Sequence, residues 1–386
     1  MLNLLTFLSF FFSKFSIHIG FYLKPYMILA IFRIKNLNKI SNLYEYETIL
    51  LTFYILYIST SLYSAEPLLS LRMSLGFILF LLTYFIFRNF FKQHFKFEHI
   101  FTIGIIFSIL SLFYYLIGFI HISELSSENP VSYGLYYDRM MYRMAGFGGN
   151  PDYFNIFNII FIFYAYCNLN RKKNKLLFVL SLINTLLTFS ISAIFTIVVV
   201  LLIDFFFFNN FKEKISKIVL FFLIFSIFLV SIYTFVDIEY IVKIIEIRCS
   251  NLETGSGRFQ MWFFALDLIK EHFLFGISIN NLRVITQEQF HIINIHNTYL
   301  EILVEAGIFV FSFFVLFQIL LLFNLHKVYK INSSVKYIIL SILAIFINMF
   351  FVSSLIHESF LFLLLISYSI ISNNLTPIQR RKHETK

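Results

Sequence analysis

Charge is the first thing this sequence lacks. Only 13% of its 386 residues are Asp, Glu, Lys or Arg, and 59% are hydrophobic, with Phe alone occurring 55 times. Soluble domains carry about a quarter charged residues, so an ordinary water-soluble fold is excluded. Cysteine is scarce as well: Cys167 is expected near a cytoplasmic helix end and Cys249 in an outer loop, so no disulfide is expected. His291 and His296 stand five apart, a poor spacing for a shared helical metal site. With no Cys or HExxH partner beside them, no metal is expected. There is no nucleotide-binding glycine loop, no internal repeat, no low-complexity tract and no soluble domain. The first apolar stretch lacks a small-residue cleavage site and runs into a second, so it reads as a span rather than a signal peptide.

What is present is apolar sequence in windows of about 20 residues along nearly the whole chain, the length needed to cross a bilayer. Only helices and closed barrels satisfy their backbone in lipid, and these runs are too long and uniform for barrel strands. The expected class is all-α: a polytopic integral membrane protein forming a single transmembrane domain over residues 1–386. The net charge of +9 could suggest nucleic acid. Most of the Lys and Arg, however, sit in short hydrophilic gaps (33–39, 88–96, 171–175, 212–217, 327–336 and 380–386), a pattern that marks cytoplasmic loops. Threading the apolar runs between these clusters gives about 12 transmembrane helices with both termini cytoplasmic. The spans fall near 2–13, 16–32, 47–64, 73–90, 99–120 and from 151, then in a hairpin over 175–208 turning near Ser190 and Ser192. The last four are near 218–236, 307–325, 337–355 and 358–373. Lys24 and Asp204 are the only obvious ionisable residues deep within spans.

Polar sequence of mixed character is confined to two outer loops, 121–149 and 237–298, and long irregular segments on one face are where function is expected. The first ends "YDRMMYRMAGFGGNPDYF". Asn150 before Pro151 is a helix-start signal, and helix N-termini also favour anions. Arg139 and Arg143 lie just upstream, as anion binders or as interfacial side chains snorkelling to water. In the second loop Arg248 precedes "ETGSGRFQMWFFALDLIKEHF", where Thr254–Gly257 reads as a helix start followed by Arg258. From there Phe259, Trp262, Phe263, Leu266 and Ile269 recur at helical spacing, predicting an amphipathic helix that lies on the membrane surface or covers the bundle, with Trp262 as interfacial anchor. The loop closes on "IHNTYLEILVEAG". Thr298 and Glu301 form a capping-box pattern, while Asn297, Glu301 and Glu305 fall on one helical stripe expected to face a cavity. His296 sits at its mouth, either as a structural helix-start residue or as the group that titrates nearest neutrality. Arginines that pair with phosphate and a histidine able to take a hydroxyl proton suit transfer from a phosphate-linked donor.

Together "RMAGFGGNPDYF", "GSGRFQMWFFALDLIKEHFLFGIS" and "HNTYLEILVEAG" resemble, in order and membrane side, the O-antigen polymerase and O-antigen ligase superfamily. The pair His296–Asn297, nine residues, then Gly307 is the most specific part. The resemblance implies a metal-independent glycosyltransferase with no cofactor, in the bacterial inner (cytoplasmic) membrane, using an undecaprenyl-pyrophosphate-linked glycan. Its partners would be that glycan, the lipid bilayer and, in the same pathway, a flippase and a chain-length regulator; nucleic acid is not among them. His296 would activate the acceptor hydroxyl, and Arg143 and Arg258 would hold the pyrophosphate. Arg139, Arg248, Asn297, Glu301 and Glu305 complete the expected binding set. The sequence departs from the pattern in three places. Ile191 stands where an arginine is common, no proline precedes the glycine in "HFLFGIS", and Val310 follows Gly307 where ligases tend to have Gly, Thr or Tyr. The last favours a polymerase of O-antigen or capsule repeats over a ligase that moves glycan to the lipid A-core of lipopolysaccharide. The competing class is a polysaccharide flippase or other transporter, expected to show internal repeats and ionisable residues deep within spans.

Overall fold

The computed structural model describes residues 2–12, 14–18, 22–35, 43–126, 130–138, 141–208, 258–290 and 295–375, and these are mostly helical. In chain order the first elements are α1 (Leu2–Leu8), the hairpin β1 (Ile17–His18) and β2 (Tyr22–Leu23), and α2 (Pro25–Ile31). Next come α3 (Glu45–Ser59), α4 (Pro67–His94) and α5 (Phe97–Ile120), then β3 (Val131–Ser132), β4 (Leu135–Asp138) and β5 (Met141–Met144). The remaining helices are α6 (Pro151–Cys167), α7 (Lys172–Leu187), α8 (Ile191–Phe207), α9 (Arg258–Glu271), α10 (Asn281–Phe290), α11 (Thr298–Ile331), α12 (Lys336–Asn348) and α13 (Glu358–Asn374).

Among the described residues, α4, α5 and α11 are long and apolar enough to cross a membrane. The spans expected at 2–13 and 16–32 are instead two seven-residue helices around a small hairpin. Seven residues rise only about 10 Å against a hydrocarbon core of about 30 Å. Their aromatic content is used for packing: Phe7, Phe10 and Phe11 are fully buried, Phe10 stacked on Tyr26 and Phe11 edge-on to Phe362 of α13. The expected hairpin over 175–208 is present as α7 and α8, joined at residues 188–190. The expected span at 218–236 lies outside the described residues.

The bundle has two chemically different ends. At one, Asn373 of α13 donates to the Lys92 carbonyl of α4, Lys336 pairs with Asp204 at the end of α8, and Tyr337 packs edge-on against Phe97 and Tyr164. The basic clusters at 88–96, 171–175 and 327–336 therefore gather there. Asp204 is not a lone charge in a span: Lys336 and the Tyr166 hydroxyl, 2.9 Å away, satisfy it. Arg88, expected as a loop cation, is fully buried against Glu47 at 2.8 Å, with the Tyr84 hydroxyl donating to the same carboxylate at 2.7 Å. Removing one member of such a pair strands a buried charge, so it pins α3 to α4.

The opposite end carries α9, α10 and a three-stranded antiparallel meander, β3-β4-β5. The meander corrects the all-α expectation for 121–149. Its register sets Leu135 opposite Met144 and Tyr136 opposite Arg143, and Leu135 and Met144 are fully buried. The wholly helical reading missed it because four-residue strands leave only a faint alternation in "LYYDRMMYRM". The amphipathic helix is present as α9, with Ile269 and Trp262 of the expected stripe packed on the bundle and its other three members exposed. Met261, Ala265 and Ile269 are buried against Leu282, Ile295 and Val304, while Phe259, Phe263 and Leu266 are exposed. Small Ala265 allows α9 to lie close to α11; the Phe259 and Phe263 rings stay outside.

Candidate active site at the head of α11

The site is assembled from four segments. The first is the start of α6. Asn150 is its N-cap, the side chain accepting from the Asp152 amide at 2.8 Å, and Pro151 occupies the first turn. This fixes Asp152 as the acidic residue of the first turn, where the helix dipole favours negative charge. The second segment is β5, whose Arg143 is 8% exposed. Its Nη1 meets Asp138 of the neighbouring strand at 2.9 Å and its Nη2 lies 3.8 Å from Asp152.

The third is the α7–α8 turn. Asn155 donates to the Thr188 hydroxyl at 2.8 Å, Phe189 takes a left-handed φ of 47°, and the Ser190 side chain caps α8. That geometry turns the Thr188 carbonyl toward Arg143 Nε, which donates to it at 2.9 Å, and Ser190 Oγ donates to Asp152 at 2.6 Å. Where Ile191 replaces the arginine of the resembling pattern, the guanidinium at this turn is that of Arg143, delivered by the meander.

The fourth is the junction of α9 with the loop before α11. Arg258, the first residue of α9, reaches Asp152 at 3.6 Å. Trp262 donates through Nε1 to the Ile295 carbonyl at 3.0 Å, immediately before His296. The indole therefore tethers the site loop, which the interfacial-anchor reading did not anticipate. Trp262→Phe keeps the ring in its cluster but removes the donor. It is expected to loosen this loop by about 1 kcal/mol, read as faster hydrogen exchange at residues 295–297. His296 itself takes a left-handed φ of 54°, a conformation uncommon outside glycine, which turns its side chain aside before the helix starts. Arg258 and Asp152 both act on its charge. Burial, together with the Arg258 guanidinium, lowers its pKa from the usual value, and the Asp152 carboxylate partly restores it. A neutral ring beside a cation and an anion is the state a proton acceptor needs.

Asn297, not Thr298, is the N-cap of α11: its side chain accepts from the Tyr299 and Leu300 amides at 3.1 Å each. The expected capping box does not form. Thr298 is turned inward and donates to the Val352 carbonyl at 2.8 Å, and Glu301 accepts from Ser353. Glu301 and Glu305 line one cavity of about 100 Å³ with Tyr57, Arg283 and Ser353, as their shared stripe implied; the Tyr57 hydroxyl donates to Glu305. After its first nine residues α11 breaks. Gly307 has φ 71° and ψ −179°, and across this break Ile277, Ser278 and Ile308 exchange backbone hydrogen bonds with the crossing segment and α11.

Thus Arg143, Arg258 and His296 come together, Glu301 and Glu305 share the adjoining cavity, and Asn297 is occupied as a helix cap. Arg139 and Arg248 lie outside the described residues. The reading of the chain overlooked Asp152, Ser190, Tyr57 and Arg283. Asp152 had a local signal as the acid after Asn150–Pro151, but nothing in "NNLRVITQEQF" marks Arg283. No curated protein matches the chain. Residues 176–315, which contain the α7–α8 turn, Arg258, His296 and Gly307, match the family model described as O-antigen ligase, and this match supports placing the chain in the O-antigen polymerase and ligase superfamily.

Proposed function

We propose that the protein is a polymerase that joins undecaprenyl-pyrophosphate-linked oligosaccharide repeats of a surface polysaccharide, O-antigen or capsule, at the outer face of the bacterial cytoplasmic membrane. The observation that carries this reading is the convergence of His296, Arg258, Asp152 and Arg143 from three of these segments at the end of the bundle away from the basic clusters. In the proposed reaction His296 takes the proton of an acceptor sugar hydroxyl. The hydroxyl oxygen bonds to the donor's anomeric carbon, the bond from that carbon to the pyrophosphate oxygen breaks, and undecaprenyl pyrophosphate leaves with its electron pair.

Arg258, whose side chain is 29% exposed against 10% for Arg143, is the better placed of the two arginines to reach that leaving group. Arg143 already has Asp138 and the Thr188 carbonyl as partners, so in this reading it chiefly orients Asp152 and adds positive charge. Asp152 keeps the two guanidinium groups at a common site until phosphate oxygens compete for them. Permanently charged arginines would let the reaction proceed without a metal ion. Both termini would lie in the cytoplasm, and a flippase and a chain-length regulator would act on the same glycan. The buried ionisable pairs, Glu47 with Arg88 and Asp204 with Lys336, are mutually compensated, which favours structural locks over a transport relay.

The second reading is a ligase that transfers glycan to lipid A-core, and the description of the matching family favours it. Val310, buried in α11 where ligases tend to have Gly, Thr or Tyr, favours the polymerase. The two separate by product. Purified protein in lipid nanodiscs would receive undecaprenyl-pyrophosphate oligosaccharide with and without lipid A-core, in the presence of chelator. A ladder formed without lipid A-core supports the polymerase; glycan found only on lipid A-core replaces it with the ligase.

A further inference from the structure

A second, larger cavity of about 330 Å³ adjoins the site, lined by Lys14, Lys24, Tyr153, Ser353, His357 and Glu358 among others. It touches the reaction centre twice over. Tyr153 follows Asp152 on α6, and Ser353, which donates to Glu301, lines both cavities. Its cations come from the N-terminal segment, of which no described residue pairs with the arginine cluster. Phe12 and Phe15 pack on Phe147 beside the meander, with ring centroids at 4.7 and 5.7 Å, and so bring the intervening Lys14 to the cavity.

The charges do not balance. Lys24 pairs with Glu358. Lys14 donates to the Tyr133 carbonyl and lies 5.0 Å from the Tyr114 ring centroid, but among the described residues no carboxylate pairs with it. His357 accepts from the Ser359 amide through Nδ1 at 3.2 Å, its Nε2 faces the Glu358 carboxylate at 3.7 Å, and its ring stacks on Tyr153 at 5.2 Å. The cavity thus offers one cation in excess and an aromatic face. Its volume lies at the lower end of the range for ligand pockets, about 300–1,000 Å³, room for a single sugar unit rather than a chain.

We propose that this cavity is a subsite for an acidic sugar of the glycan, a hexuronate or similarly carboxylated residue next to the reacting linkage, with Lys14 as the carboxylate's partner. The inference rests on the reading that a glycan is the substrate. A single carboxylate matches the single excess cation; a diphosphate carries more charge than the cavity would neutralise, and the arginine forks at Asp152 suit it better.

The test uses the full chain in nanodiscs of uncharged phosphatidylcholine, with methyl β-glucuronoside and methyl β-glucoside titrated by saturation-transfer NMR. The glucuronoside should bind about tenfold more tightly, the effect of one charge-assisted hydrogen bond. That preference should vanish in Lys14→Gln. It should survive in the paired variant Lys24→Met with Glu358→Gln, which removes both members of the buried ion pair and leaves Lys14. Equal affinity for the two sugars in the unmodified protein, or a preference unchanged in Lys14→Gln, overturns the proposal. So does displacement by inorganic diphosphate that persists in Arg258→Gln and is lost in Lys14→Gln, because the cavity would then be a phosphate site. The two readings fail separately. A Lys14-dependent preference in a protein that makes no glycan ladder leaves the subsite and removes the polymerase, whereas a ladder without the preference does the reverse.

Discussion

Replacing His296 with alanine is expected to lower kcat/KM for glycan transfer by about 10²- to 10⁴-fold, the usual contribution of a general base, with little loss of folded protein. The small structural cost follows from the local geometry. Asn297 caps α11 and Trp262 holds the Ile295 carbonyl, so the histidine ring is not needed to form the helix start. The pH profile distinguishes a base from a bystander. The neutral ring is the active form, so kcat/KM should be low in acid and rise to a plateau as the ring loses its proton. Burial and the Arg258 guanidinium lower the pKa, so the midpoint should fall below the ordinary histidine value of about 6.5, with the plateau reached by neutral pH. Neighbouring variants should move that midpoint in opposite directions. Arg258→Gln removes a group that lowers the pKa and should shift the midpoint up; Asp152→Asn removes one that raises it and should shift the midpoint down. A midpoint indifferent to both would take His296 out of the proton transfer.

Gly307→Ala should have the largest effect on the fold of the site. A Cβ at this position would lie 2.2 Å from the Leu274 carbonyl oxygen and 2.6 Å from the Phe275 nitrogen, both backbone atoms that cannot swing aside. The backbone angles, φ 71° with an extended ψ, are also nearly closed to any residue with a side chain. Steric overlap and conformational strain together should cost more than about 3 kcal/mol. Gly276 faces the same crossing from the other strand: its added Cβ would lie 2.4 Å from the Glu305 carbonyl carbon. The break is what aims the first nine residues of α11, with Glu301 and Glu305, at the cavity. The variant should therefore lose both thermal stability and transfer activity, whereas His296→Ala loses activity alone. A Gly307→Ala protein with unchanged melting temperature and activity would remove the crossing from any role in the site.

The spacing of His296, Asn297 and Gly307 was legible in the sequence, but its meaning was not. As a string it is a signature; as a structure it is the length of a half-helix, capped by Asn297 at one end and broken at Gly307 by a backbone crossing. The nine residues between them place a polar stripe toward one cavity.

The sequence by itself determined what depends on neighbours along the chain. Long apolar runs specified helices, Asn150–Pro151 specified the start of α6, and the Ser190 turn specified the α7–α8 hairpin, because propensity, capping and periodicity act within a few residues. It also singled out Arg258 and His296 as candidates, since charge is costly in so apolar a chain. Only the tertiary structure decided the rest. Two N-terminal apolar runs became short packed helices, and α9 turned Met261, Ala265 and Ile269 inward and the Phe259 and Phe263 rings outward. A four-residue strand delivered Arg143 to a carbonyl 45 positions away, and Asp152 was set between two arginines. These outcomes rest on contacts between distant segments, where packing and charge pairing outweigh local preference, and no window of sequence contains both partners.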